Sequence, residues 1–137
     1  MHKAIPETIR TSLEEALRCL EHRCYVAAAI MCRRTLEALC KHHVGGSKNL
    51  ATSLKALHDS KVIDDRLYDW AEALRADGNL AAHDPEATFT RQDAQDLADF
   101  SEAILEYVFV LSDRFSAFKA RRAAAAASKA PKGTGPS

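Results

Sequence analysis

The chain has 137 residues, with 19 Lys and Arg against 19 Asp and Glu, and so no formal net charge at neutral pH. That length supports one domain around a single core and makes a second domain unexpected. Five basic residues and no acidic one lie from Lys119 onward, which leaves 14 basic against 19 acidic in residues 1–118. So mildly acidic a body is excluded as a platform for long duplex nucleic acid, whose affinity comes mainly from neutralised phosphates.

No apolar run approaches the roughly 18 residues of a membrane helix. Met1-His2-Lys3-Ala4-Ile5-Pro6 leads straight into the charged stretch Glu7 to Glu15, without the pattern of a secretory leader. The expectation is a soluble, cytoplasmic protein with no membrane contact. Cys19, Cys24, Cys32 and Cys40 are irregularly spaced in helix-like sequence, with no Cys-x-x-Cys pair. Reduced, mostly buried thiols are expected, with no metal and no cofactor.

The apolar periodicity predicts helices and no strands. A first helix spans about Glu7 to Glu21, with Ser12-Leu13-Glu14-Glu15 reading as a capping box and Ile9, Leu13, Leu17 and Leu20 on one face. After a turn at Arg23-Cys24, a second runs from about Tyr25 to His43. It carries Val26, Ala29, Ile30, Leu36, Leu39 and Cys40, and Ala27 to Ala29 let a neighbouring helix approach closely. His42-His43 complement its negative end, and Val44-Gly45-Gly46 stops it. A short helix from about Leu50 to Asp59 shows Leu50, Leu54 and Leu57 at helical spacing. The fourth starts at Asp64 as N-cap and carries Leu67, Trp70, Ala71 and Leu74 into the segment Arg75 to His83, before Asp84-Pro85 breaks it.

The last helix is the longest. Thr90-Arg91-Gln92-Asp93 reads as its cap, and Leu97, Phe100, Ile104, Val108, Leu111, Phe115 and Phe118 form one stripe at spacings of three and four. Leu105, Phe109 and Val110 lie off that stripe, which implies a second buried face. Either the other helices wrap it, or it is the surface of a homodimer. From Arg121 the alanine run extends a helix and then gives way to a basic Lys, Pro and Gly-rich tail with nothing to bury. The boundaries expected are a helical domain at 1–118 and a disordered tail at 119–137.

One segment carries chemistry. Arg75, Asn79 and His83 place a guanidinium, an amide and an imidazole about one helical turn apart, a set suited to holding phosphate and moving a proton near neutral pH. Gly78-Asn79 is equally a common helix ending, with Gly in the left-handed conformation. Arg33 and Glu37, four apart on the second helix, pair at the surface, or else Arg33 or Arg34 turns inward to meet Glu72, Asp77 or His83.

Glu14-Glu15-Ala16, Cys32-Arg33-Arg34-Thr35-Leu36-Glu37-Ala38-Leu39, Gly78-Asn79-Leu80-Ala81-Ala82-His83 and Ile104-Leu105-Glu106-Tyr107 together resemble the bacterial domain-of-unknown-function family 4145 over about residues 7 to 115. That family is similar to the HEPN superfamily of helical bundles found in defence, restriction and toxin–antitoxin systems. The resemblance implies an all-α, up-and-down, HEPN-like bundle of about five helices with a long C-terminal helix. It further implies an interaction or dimerisation module with an RNA or protein partner. The alternative it implies is a metal-independent endoribonuclease, dimeric, with Arg75 and His83 as the catalytic pair and Asn79 between them. The family's usual Arg-to-His spacing is shorter than the seven residues here, and on an unbroken helix eight positions leave the two side chains about 80° out of alignment.

Overall fold

Four of the helices, α1, α3, α4 and α5, begin where a side chain or a proline supplies what the first turn lacks. Pro6 precedes α1 (Glu7–Glu21), and its fixed φ leads the chain into the helix without any side-chain cap. The capping box expected at Ser12 is not one: Ser12 lies inside α1, and its hydroxyl donates to the Thr8 carbonyl at 3.2 Å. Asn49 accepts from the Thr52 N–H at 2.8 Å to start α3 (Leu50–Asp59), and Asp64 accepts from the Leu67 N–H at 2.8 Å to start α4 (Asp65–Ala76). Thr90 and Asp93 form a reciprocal capping box at 3.1 and 3.0 Å ahead of α5 (Arg91–Leu105). Thr90→Ala removes half of that box and is expected to cost about 1 kcal/mol, read as a lower urea midpoint with an unchanged slope. A changed slope would mean that the cap shapes more than its own helix.

The computed structural model describes residues 1–45, 49–78 and 89–129, and among them there is no strand. Between α1 and α3 lies α2 (Tyr25–Val44). Beyond α5 the chain continues through a π-helical turn (Glu106–Leu111) into α6 (Ser112–Lys129), so that one long rod closes a five-helix, all-α architecture. The short α1–α2 connection folds the two helices back on each other. Thereafter α3 packs on α2, α4 on α3, and α5 closes against α1, α2 and α4. The alanine run carries α6 to Lys129, and residues 130–137 lie outside the described residues.

The core lies where α1, α2 and α5 meet, with Ile9, Leu13, Leu36, Leu39, Leu97, Phe100 and Ile104 buried there. On α2 the buried face is Ala28, Cys32, Thr35, Leu36, Leu39 and Cys40. Val26 and Ile30, expected inside, are 41% and 53% exposed. They share the outer stripe with Arg33 and Glu37, which pair at 3.9 Å on the surface. The small residues Ala28 and Cys32 take the inner positions and let the neighbouring helices close up. Buried hydroxyls are satisfied locally: Thr35 donates to the Met31 carbonyl and Ser101 to the Leu97 carbonyl, both at 2.8 Å.

Candidate functional site

Arg75 lies in the last turn of α4, 53% exposed, and its guanidinium donates through Nε and Nη2 to the Glu72 carboxylate at 3.3 and 2.8 Å. The pairing holds the Arg75 charge more firmly and pulls the Glu72 carboxyl below its usual range, with a smaller contribution from the Tyr68 hydroxyl. The helix does not carry on to the other two residues of the expected set. Asp77 and Gly78 return N–H bonds to Ala73 and Arg75 at 3.1 and 3.0 Å, and Gly78 takes φ +82°, a left-handed helix ending. Of the two readings of this segment, α4 takes the helix ending at Gly78 and stops at Ala76; Asn79 and His83 lie outside the described residues.

The structure also corrects the face expected to make a dimer. Leu105 is fully buried, Val110 is 3% exposed, and Phe109 is half-buried against the His42 and His43 rings at 5.5 Å. All three belong to the chain's own packing. The cause is the π-helical turn. Its hydrogen bonds join residues five apart, so Val110 falls on the face of Leu105 and Phe109 on that of Ile104. A count by threes and fours cannot see this. Leu111, Phe115 and Phe118, expected inside, are 52%, 56% and 44% exposed, because beyond the turn no other described helix packs on the rod.

The outcome is an arm. No residue of α6 is buried, and among the described elements it packs only on the turn from which it grows. Lys119 sits over the Phe115 ring at 4.7 Å and Arg122 over the Phe118 ring at 5.6 Å, cation–π contacts that dress the apolar stripe with positive charge. At the root of the arm is a groove of about 480 Å³ along one face of the rod, lined by Ala103, Tyr107, Val110 and Leu111 together with the charged Glu102, Glu106 and Arg114. Beyond Tyr107 a second hollow of about 300 Å³ continues toward Leu67 and Trp70 of α4. Burial pushes the Glu102 carboxyl up, and the like charges of Asp99 and Glu106 add to the shift.

The model of a family described as a domain of unknown function (DUF4145) matches residues 14–121, well over half of the chain. The chain belongs to the DUF4145 family. The DUF4145 match runs past Leu111, Phe115 and Phe118 to Arg121, so the first half of the arm is part of the family's domain. No curated protein and no solved structure was found to match this DUF4145 chain.

Two of the domain's four cysteines are accessible. Cys24 is exposed and Cys19 half-buried, whereas Cys32 and Cys40 are buried. A disulfide-exchange reagent is expected to label Cys24 quickly, Cys19 slowly, and the other two only on unfolding. Four equal native rates would contradict the placement of α2. Among the described residues no group of three His, Cys, Asp or Glu is placed to hold a metal, and no helix is long and apolar enough to cross a membrane.

Proposed function

We propose that this domain is a non-catalytic, HEPN-like helical interaction module serving a bacterial defence, restriction or toxin–antitoxin system in the cytoplasm. The observation that carries the reading is the arm. A helix of 18 residues that buries nothing, with Leu111 exposed just before it and Phe115 and Phe118 exposed on it, gains most by docking that face. Arg75 supports the same reading, because its charge is already met by Glu72 on the outside of α4.

The rival is the metal-independent endoribonuclease, in which the RNA 2′-hydroxyl attacks the adjacent phosphate with His83 moving the proton and Arg75 steadying the phosphoryl oxygens. Single-stranded RNAs incubated with the wild-type chain and a chelator separate the two. The expected result is intact RNA. Cleavage that survives chelation and disappears in both Arg75→Ala and His83→Ala would replace the interaction module with the nuclease.

A further inference from the structure

We infer that Cys19 and Cys24 form a dithiol modification site at the turn from α1 to α2, which a small-molecule disulfide of the glutathione type closes into an intrachain Cys19–Cys24 bridge.

The backbone of the turn sets the pair. At the end of α1 the Arg23 N–H donates to the Leu20 carbonyl at 3.1 Å and the Cys24 N–H to the Cys19 carbonyl at 2.8 Å, while Arg23 takes φ 63° in the left-handed region. This is the Schellman ending, in which the residue just past the left-handed position meets one in the last turn of the helix, commonly as an apolar contact. The end of α3 repeats it. There Lys61 takes φ 64°, and the Lys61 and Val62 N–H groups donate to the His58 and Leu57 carbonyls at 3.0 and 2.9 Å. The two residues so placed are Leu57 and Val62, both part of the core packing. At the end of α1 the same two positions hold free thiols instead.

The spacing admits a bond. Across the 2.8 Å hydrogen bond the Cα atoms of Cys19 and Cys24 are no more than about 6.7 Å apart, within the span of about 4.4–6.8 Å that a disulfide bridges. The Cys24 thiol rests on the His22 carbonyl at 3.6 Å, a weak contact that it can give up.

Access sets the order of reaction. Cys24 is exposed and Cys19 half-buried, so the reagent meets Cys24 first. The Cys24 thiolate attacks one sulfur of the reagent, making a mixed disulfide and expelling the first small thiol. The Cys19 thiolate then attacks the Cys24 sulfur, making the bridge and expelling the second. The protein gives up two electrons and two protons, and the reagent leaves as two thiols. Cys32 does not compete as the resolving group. Burial pushes its thiol up to about 11, with the charge of nearby Cys19 adding to the shift, so near neutral pH it stays protonated and unreactive. The bridge closes a ring of only six residues and one of its sulfurs is exposed, which makes it easily reduced again.

The test incubates the full chain with oxidised glutathione at neutral pH, alkylates the remaining thiols and reads intact and peptide masses. Wild type is expected to lose two alkylatable thiols while retaining no glutathione, and dithiothreitol should restore both. Trypsin leaves Cys24 and Cys32 on one peptide, so fragmentation between them assigns the bridge. In Cys19→Ser the second step is missing, and glutathione should stay on Cys24 at a level roughly tenfold above that in wild type. Cys19→Ala gives the same readout if serine disturbs the half-buried position. Glutathione retained on wild-type Cys24 as fully as on the Cys19 variants, a bridge from Cys19 to Cys32, or Cys24 bridges between two chains in place of the internal one would each overturn the inference.

Discussion

Replacing Phe100 with alanine is expected to destabilise the domain by about 3–5 kcal/mol, the range for emptying an aromatic site in a packed core. Phe100 is fully buried on α5, and Trp70 of α4 meets its ring edge-on at 5.4 Å. The helices packed on α5, namely α1, α2 and α4, come from three different parts of the chain, so they cannot collapse on the cavity without disturbing their other contacts. A domain of this size has only about 5–15 kcal/mol in total, so the melting temperature should fall by roughly 10–20 °C. Phe115→Ala is the internal comparison. The same residue type on the same rod, 56% exposed, should cost no more than about 0.5 kcal/mol. Equal losses for the two variants would mean that α6 is packed and that the arm is misplaced.

The second large effect is alkaline. Burial pushes the Cys32 thiol up to about 11, partly offset by its hydrogen bond with Ser101, and the Cys40 thiol up to about 12, both from 9.0. The folded chain therefore keeps two protons that the unfolded chain releases near pH 9. Above that pH the unfolded state binds fewer protons, so stability falls as pH rises. The thiols' contribution is complete below pH 9 and is lost progressively toward pH 11 to 12, with about 2–3 kcal/mol gone by pH 10. The combined variant Cys32→Ala, Cys40→Ala should be less stable at pH 7 but flatter between pH 8.5 and pH 10.5. An unchanged slope in that variant would assign the alkaline loss to tyrosine or lysine.

Much of the fold was legible because it is written locally. The bounds of α1 and α3, the Asp64 cap and the Thr90–Asp93 box all follow from residues within one turn of where they act. What failed depends on neighbours. Val26 and Ile30 are as apolar as the residues that replaced them inside, but the close approach of α1 to α2 favours Ala28 and Cys32. Ser12 has the side chain of a cap without the position of one, since Pro6 had already started the helix. At the candidate site, Arg75 was visible in the sequence, and so in principle was Glu72 three residues before it, an ordinary i, i+3 partner. The hollow beside the groove was not visible, because Tyr107 and Ala103 meet Leu67 and Trp70 only once α4 packs on α5.

The π-helical turn also bears on how such a chain can diversify. Loss or gain of one residue within a helix rotates everything beyond it by about 100°, which normally ruins a fold by misaligning faces on both sides. Here the far side has no packed face to misalign, since α6 buries nothing. A length change of one residue at Leu111, just after the packed Val108, Phe109 and Val110, would re-aim the whole arm while α1 to α5 keep their positions, much as a joint turns a limb without moving the trunk. The direction in which the arm's apolar stripe faces can thus drift by counting residues in a single turn, with every side chain of the arm retained.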